Sequence, residues 1–411
     1  MKPIHILTFC LLFFTLASCR KKEFMPEVEG QPVPHPEITA SLKDVLNTSP
    51  YTLFKAAWER SNMDKIMKEK GDKAYYTMLV PTNEAFIADG LTMEKINSTE
   101  PALLDSILLY HTLTGAFNPE DVKSSVDNYP GKSLLENPYL RVKAPFAGSA
   151  LAAPYFYLQY LKVSGNELFV NGKKAGTAAA VLAKNGVLLP VNRVLHKPTK
   201  TILQVLQEDG RFGMYLDLTA RTDALFAELT YGNFQHDFTA GLKVSEIGDY
   251  NITFHSIFAI TDDAFHKAGY NTVEEMMELN NRNPLPYVDW DTYAVKGGLV
   301  TDTLVGYHRW GTFFSHDEPN AGRGTANATN FYSNDLNNTV LGDYTLVLGG
   351  YPTPFPAYKM PLDFTNEGGV IKVKVKGSDY PAASVIESDI NTIMGPVHIV
   401  DRLLLPKGFK L

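Results

Sequence analysis

TMLVPTNEAF at residues 77–86 and SIFAITDDAF at residues 256–265 are two versions of one pattern, and this pattern decides the fold. Each version starts with an apolar run that predicts a short strand, continues with a threonine and two polar or acidic residues, and ends in Ala-Phe. Thr82 and Thr261 suit the N-cap of a helix, and the acidic residues behind them suit its positive end. The final phenylalanines are expected to turn back onto the core. Both stretches therefore predict a strand that leads directly into a capped helix.

Two further blocks recur in the same order, which indicates an internal duplication. LLYH at residues 108–111 corresponds to VGYH at residues 305–308. NGVLLPVNRVLHKP at residues 185–198 corresponds to MGPVHIVDRLLLPKG at residues 394–408. Three blocks in one order make chance similarity a poor explanation. We therefore predict that the chain contains two copies of one domain.

The stretches between these blocks mix helical and strand patterns. Residues 51–70 carry apolar residues at helical spacing, and residues 101–111 begin with a proline, which favours the first turn of a helix. Residues 167–172 (ELFVNG) predict a strand that ends in an Asn-Gly hairpin turn, and residues 370–376 (VIKVKVK) alternate as in a half-exposed strand. Helices and mixed strands in one compact unit predict an α+β domain.

The composition excludes several classes of protein. The 411 residues are 45% hydrophobic and 20% charged, which is ordinary for a folded protein and argues against disorder. A net charge of −7 argues against a nucleic-acid binder, which needs a basic face. The chain has two cysteines, Cys10 and Cys19, so neither a disulfide framework nor a multi-cysteine zinc site is expected.

Both cysteines lie in an N-terminal segment that has the pattern of an export signal. Residues 1–18 combine one lysine with a short apolar run, as in a secretory signal peptide. Leu16–Cys19 (LASC) resembles a bacterial lipobox, which implies removal of residues 1–18 and lipidation of Cys19, with palmitate for example. The alternatives are a plain signal peptide with a chance cysteine and a cytosolic protein with an apolar start. Residues 19–37 contain four prolines and predict a semi-rigid tether. Arginine rather than aspartate follows Cys19, which favours anchoring in the outer membrane.

The repeated blocks resemble the fasciclin domain family. Residues 77–86 are similar to the family's strand-PTNxAF box, the first Tyr-His pair to its Tyr-His dipeptide, and residues 185–195 to its closing box. The resemblance implies two tandem α+β domains, each a β-wedge with a flanking helical layer, and roles in extracellular adhesion or ligand binding. We place the first domain at residues 38–198 and the second, enlarged by insertions, at residues 199–411.

The second copy departs from the family pattern at three places. Ile260 replaces a proline, Asp262 and Asp263 replace Asn-Glu, and Met394 replaces the asparagine before the closing glycine. We expect the fold to survive these changes, and they weaken the transfer of a binding function to this copy.

Tyr110, His111, Tyr307 and His308 are candidate binding or structural residues. A histidine in such a place is more often a buried residue whose ring bonds to a neighbour while the tyrosine packs. The family resemblance implies structural support for this dipeptide and, in some animal members, adhesion. We expect the structural role and keep adhesion as the alternative.

Aromatic residues are concentrated in the enlarged part of the second copy. Residues 280–360 contain 13 aromatics, and the candidate ligand surface consists of Trp290, Trp310, Phe313, Phe314 and Tyr332. Exposed aromatic rings beside polar residues can stack on sugars or anchor a protein partner. The alternative, which we favour, is that long loops need aromatics to pack a small core of their own.

Catalytic and metal-binding patterns are weak. His308, His316, Asp317 and Glu318 are close in sequence, but their spacing matches no diagnostic metal motif, so we predict neither a metal nor another cofactor. The chain contains no nucleophile elbow, Walker A loop or dinucleotide fingerprint. We therefore predict a protein without catalytic activity.

These observations favour a lipid-anchored protein of the cell envelope that binds a protein or glycan ligand. One alternative is a glycan-processing or metal-dependent enzyme housed in the enlarged second domain. The other is a purely structural component of the envelope. The sequence leaves open which face of the outer membrane displays the protein.

Overall fold

The computed structural model describes most of the chain. The described residues are 38–71, 74–123, 127–142, 153–234, 236, 238–244, 255–311, 330–347 and 357–411. Those from Ala40 onward belong to one compact unit. The predicted signal peptide, Cys19, the tether, Phe313 and Phe314 lie outside the described residues, as do the partners suggested for His308 at residues 316–318.

The first copy begins with a layer of helices. They are α1 (Leu42–Thr48), α2 (Thr52–Arg60), α3 (Met63–Lys70), α4 (Asn83–Ala88), α5 (Met93–Ser98), α6 (Pro101–Tyr110) and α7 (Pro119–Val122). The helices predicted within residues 51–70 and 101–111 are confirmed. Pro101 lies in the first turn of α6, where a backbone N–H would have no partner within the helix.

The strands of the first copy form one sheet. They are β1 (Tyr76–Pro81), β2 (Thr112–Thr114), β3 (Tyr129–Val142), β4 (Ala153–Ser164), β5 (Glu167–Val170), β6 (Lys173–Thr177), β7 (Val181–Ala183) and β8 (Gly186–Val191), in the order β6-β5-β4-β3-β2-β1-β8-β7. The predicted hairpin is confirmed, because Asn171 and Gly172 join β5 to β6 with φ angles of 51° and 76°. Positive φ at both turn residues is the geometry that Asn-Gly favours.

The second copy repeats this mixture of elements. Its helices are α8 (Ile202–Asp209), α9 (Gly213–Leu229), α10 (Asp262–Lys267), α11 (Val273–Met277), α12 (Val300–Gly306) and α13 (Asn338–Leu341), with 3₁₀ turns at Ala240–Leu242, Glu278–Arg282 and Ser333–Asp335. Its strands are β9 (His255–Ile260), β10 (Tyr287–Asp289), β11 (Ala294–Lys296), β12 (Arg309–Gly311), β13 (Thr345–Val347), β14 (Ala357–Lys359), β15 (Leu362–Glu367), β16 (Val370–Val375), β17 (Ala383–Thr392) and β18 (Gly395–Val400). The main sheet has the order β12-β9-β18-β17-β16-β15, and β10-β11 and β13-β14 are separate ribbons. The strand predicted near residues 370–376 is confirmed.

The two copies share one central arrangement of strands. β1 pairs antiparallel with β2 and parallel with β8, and β9 pairs in the same way with β12 and β18. The fourth residue of each central strand makes the same bond: the Leu79 N–H donates to the His111 carbonyl, and the Phe258 N–H donates to the His308 carbonyl, both at 2.8 Å. The α+β fold and the internal duplication are therefore confirmed.

The predicted helix caps at Thr82 and Thr261 are present in both copies. The Thr82 hydroxyl accepts the Ala85 N–H, and the Thr261 hydroxyl accepts the Ala264 N–H, each at 3.2 Å. Each bond satisfies one of the N–H groups that a helix start leaves free. The predicted strand-to-capped-helix connection is confirmed.

The change from asparagine to aspartate in the second copy preserves a structural role. The Asn83 Oδ1 atom accepts the Leu53 N–H at 3.0 Å, at the start of α2. The Asp262 Oδ1 atom accepts the Met214 N–H at 2.8 Å, at the start of α9. Either side chain supplies a hydrogen-bond acceptor, which connects α2 to α4 in the first copy and α9 to α10 in the second. The fold therefore tolerates the substitution.

Two apolar clusters hold the elements together. One packs the helices of the first copy against its sheet and contains Phe86, which is completely buried. The other runs through both copies and contains Phe265, also completely buried. Because this second cluster includes residues from each sheet, the two copies share one continuous core.

Candidate functional site

His111 lies at the C-terminal end of α6 and is completely buried. Its Nδ1 atom lies 2.8 Å from the Ile107 carbonyl oxygen, and its Nε2 atom accepts the Leu195 N–H at 2.9 Å. Since Nε2 is an acceptor, the ring proton sits on Nδ1 and is donated to the carbonyl. Burial lowers the pKa of His111 to about 4, so the ring is neutral at pH 7.

His308 occupies the equivalent place in the second copy. Its Nε2 atom accepts the Leu404 N–H at 2.9 Å, and its Nδ1 atom lies 2.9 Å from the Phe258 carbonyl oxygen. Burial lowers the pKa of His308 to about 3. In both copies both imidazole nitrogens are engaged: the His111 ring joins α6 to the closing segment, and the His308 ring joins β9 to it.

The tyrosines of the two dipeptides also point to a structural role. Tyr110 is buried and makes an edge-to-face contact with Tyr157 at 5.8 Å between ring centroids. Tyr307 is half-buried and packs against the shared core. The geometry favours the structural interpretation of both Tyr-His pairs.

Two members of the predicted aromatic surface are buried. Trp310, on β12, exposes 4% of its surface and Tyr332 exposes 2%. The Tyr332 hydroxyl donates to the Asn391 Oδ1 atom at 2.9 Å, and its ring lies 5.1 Å from the ring of Tyr160 in the first copy. The candidate ligand surface is wrong for these two residues, and the favoured interpretation, that the aromatics pack a core, holds for them because large rings contribute more by filling a core.

Tyr332 belongs to a polar interface between the two copies. The Asn330 side chain donates to the Tyr160 hydroxyl at 2.8 Å, and the Asn334 side chain donates to the Asn128 Oδ1 atom at 2.8 Å. Asp335 accepts a hydrogen bond from Asn128, and burial raises the pKa of this carboxyl to about 7. The interface thus fixes the copies to each other by directional bonds as well as by the shared core.

Trp290 is exposed and belongs to a contiguous group of aromatic rings. We call Tyr231, Trp290, Tyr293 and Phe234 the aromatic row. The centroids of successive rings lie 6.1 Å apart for Tyr231 and Trp290, 6.3 Å for Trp290 and Tyr293, and 5.2 Å for Tyr293 and Phe234. The exposed fractions of Tyr231, Trp290 and Tyr293 are 75%, 56% and 61%, and Phe234 is half-buried. Three large exposed rings in contact are unusual on a protein surface unless they bind something.

The backbone of the aromatic row is strained in two places. Tyr231 has a φ of 54° and Tyr293 has a φ of 49°, which bulky residues seldom adopt. Tyr231 follows the end of α9, where the N–H of Gly232 donates to the Ala227 carbonyl at 2.8 Å. Strained residues that persist in a fold tend to lie at functional sites.

A short turn carries the other two exposed rings. Trp290 and Tyr293 lie between β10 and β11, and the Asp289 Oδ1 atom accepts the N–H groups of Asp291 and Thr292 at 3.1 and 3.3 Å. These bonds fix the turn, so the rings are presented from a defined backbone.

The sequence pointed to Trp290 and missed the other members of the row. Tyr293 lies three residues further along the same turn, and the mixture of polar and aromatic residues at 289–293 (DWDTY) was an available signal. Tyr231 and Phe234 lie more than 50 positions away in the chain, and only the folded structure brings them to the same place.

A histidine and two aspartates approach one another elsewhere in the second copy. The His236 Nδ1 atom lies 3.5 Å from Asp302 Oδ1 and 3.9 Å from Asp223 Oδ1. Burial lowers the pKa of His236 to about 4 and raises that of Asp302 to about 7. The imidazole lies flat on the ring of Phe226, at 3.9 Å between centroids, which covers one of its faces. The group is a packed element of the fold.

Within the described ranges, no three His, Cys, Asp or Glu residues converge in a way that could hold a metal ion. The helices of that same part of the chain include none that is long and apolar enough to cross a membrane.

The chain resembles a known domain family in sequence and a solved structure in fold. Residues 49–198 match the profile of the fasciclin domain. The chain is also similar to the structure of a FAS1 domain pair from the insect cell adhesion molecule fasciclin I, with 14% identity over 87% of this chain and 98% of that one and a TM-score of 0.29. The curated proteins contain no match. Over residues 49–198 the first copy is therefore similar to a fasciclin domain.

Proposed function

We propose that this protein is a lipid-anchored adhesion module of the outer membrane, which binds a protein or glycan ligand and has no catalytic activity. Fasciclin domains are generally involved in cell adhesion, and residues 49–198 match that domain. The lipobox-like sequence that ends at Cys19 supports the anchor, and the proline-rich residues 19–37 support a spacer between membrane and binding domains.

One observation carries the binding role: the aromatic row is exposed, contiguous and held on a constrained backbone. Aromatic rings contribute large contact areas at a small cost in conformational entropy, which is why they dominate the energetics of many interfaces. The Tyr-His pairs are less suitable, because their histidines are buried and use both ring nitrogens inside the fold.

A binding array with matched variants tests this function. Full-length protein in detergent is applied to printed glycans and extracellular-matrix proteins, together with Trp290→Ala and with Tyr75→Ala, which removes an equally exposed tyrosine of the first copy. We expect at least one component to retain the wild-type chain and the Tyr75 variant, and to lose the Trp290 variant. Retention of nothing above background would contradict the binding role, and turnover of an array component would favour the enzyme.

The anchor needs a separate experiment. Cys19→Ser should abolish incorporation of labelled palmitate and release the chain from the membrane fraction. Membrane association and labelling that persist in this variant would contradict lipidation at Cys19.

A further inference from the structure

The chemical groups of the aromatic row limit the class of ligand that it could bind, provided that the binding function proposed above holds. Three of its four rings carry a polar group, the hydroxyls of Tyr231 and Tyr293 and the indole N–H of Trp290. Such rings offer an apolar face to a ligand and a hydrogen-bonding edge to its polar groups. Together they suit a ligand with alternating C–H faces and hydroxyl groups.

The rings are tilted with respect to each other. The interplanar angle is 39° between Tyr231 and Trp290, 50° between Trp290 and Tyr293, and 44° between Tyr293 and Phe234. A row whose rings face in different directions fits a chain of repeating units, each of which packs on one ring.

The charged residues next to the row in sequence are mainly acidic. Glu228 precedes Tyr231 and is exposed, Asp291 lies between Trp290 and Tyr293 and is exposed, and Asp289 precedes Trp290. Lys296 lies 4.0 Å from Asp289 and offsets one of these charges. An acidic surface repels anionic lipids, acidic polysaccharides and nucleic acids, whereas carboxylates accept hydrogen bonds from sugar hydroxyls.

We propose that the aromatic row is a binding site for an uncharged oligosaccharide or polysaccharide. Successive sugar rings stack on Tyr231, Trp290, Tyr293 and Phe234, and their hydroxyl groups donate to the neighbouring carboxylates. Because the backbone of the turn is fixed by Asp289 and the row is preformed, little ordering is needed on binding.

Affinity electrophoresis tests the ligand class. Full-length protein in detergent migrates through native gels that contain soluble neutral polysaccharides (β-glucan, galactomannan, xylan or dextran), and through gels with polygalacturonate. The variants are Trp290→Ala, Tyr293→Ala and the control Tyr75→Ala. We expect at least one neutral polysaccharide to retard the wild-type and control chains, and the apparent dissociation constant to rise about tenfold or more in each row variant. Unchanged far-UV circular dichroism confirms that the variants fold.

Each other result overturns the proposal in a recognisable way. Retardation by polygalacturonate alone, or by no gel of the set, excludes an uncharged glycan as ligand. If a matrix protein on the array described above still binds in a Trp290-dependent manner, the adhesion function stands and only the ligand class is wrong. Equal retardation of the wild-type chain and both row variants places glycan binding elsewhere on the molecule.

Discussion

The buried histidines make a prediction about acid that can be worked out from their pKa values. His308 is completely buried, and burial lowers its pKa to about 3, whereas an unfolded chain has a histidine pKa of about 6.5. Below pH 6.5 the unfolded state takes up a proton that the folded state refuses, so stability falls as the pH falls towards 3. Between pH 7.5 and pH 5 the loss is about 2 kcal/mol, at about 1.4 kcal/mol for each of the 1.5 units below 6.5.

Comparing wild type with the variant His308→Gln separates the contribution of His308 from that of the carboxyl groups that titrate in the same pH range. His308→Gln lowers the free energy of unfolding at pH 7.5, because it breaks the bonds to Leu404 and Phe258. The variant lacks the titrating ring, so the difference in stability between wild type and variant should shrink by about 2 kcal/mol at pH 5. Urea unfolding followed by tryptophan fluorescence at both pH values measures it. A difference that does not change with pH would refute the assignment of His308 as a buried neutral ring.

Three further predictions concern the fold. Gly186→Ala and Gly395→Ala should each cost about 3 kcal/mol or more of stability, because the new Cβ would lie 1.9 Å from the Tyr76 carbonyl oxygen and 2.3 Å from the His255 carbonyl oxygen. The control is Gly210→Ala, at a left-handed position with open space, which should cost about 1 kcal/mol of stability. If all three variants lost the same stability in thermal unfolding, the close packing of the central strands would be contradicted. Thr261→Ala should lower the free energy of urea unfolding by about 1 kcal/mol, and Thr261→Ser should restore most of that stability. No loss in the alanine variant would argue against the N-cap role of Thr261. Asp335→Asn should become more stable relative to wild type as the pH rises from 5 to 8, by about 2.5 kcal/mol, since the raised pKa of about 7 means that wild type loses stability over this range. A relative stability that stays constant would show that Asp335 titrates normally.

Local sequence patterns predicted the repeated framework well. The strand-to-helix connection depends on Thr82 and Thr261, whose hydroxyls bond within three residues, so the information lies in a few neighbouring positions. The hairpin at Asn171-Gly172 is equally local, because positive φ angles favour those two residue types.

The environment of the aromatic residues was not predictable in the same way. Trp290, Trp310 and Tyr332 are all aromatic residues of the enlarged second copy, yet only Trp290 is exposed. Tyr332 is buried by the first copy through Tyr160, which lies 172 positions earlier in the chain. Burial of this kind depends on how two distant segments pack, and composition alone carries no information about that.

The protonation state of the Tyr-His pairs shows the same limit. The sequence indicated that a buried histidine would need partners, and both structural partners of His111 at Nε2 and Nδ1 are backbone groups. Every residue except proline has a backbone N–H, so the sequence does not show which residue donates to the ring. The neutral tautomer could therefore be assigned only from the folded chain.

Protection of Trp290 by a bound ligand tests the central claim, that binding occurs at the aromatic row. The three tryptophans are Trp58 and Trp310, both buried, and Trp290, so acrylamide should quench mainly the fluorescence of Trp290. We predict that the array component retained by the protein reduces this quenching at saturation, and that the Trp290→Ala chain shows little quenching with or without it. Saturating ligand that leaves the quenching of wild type unchanged would place the binding site elsewhere and contradict the account.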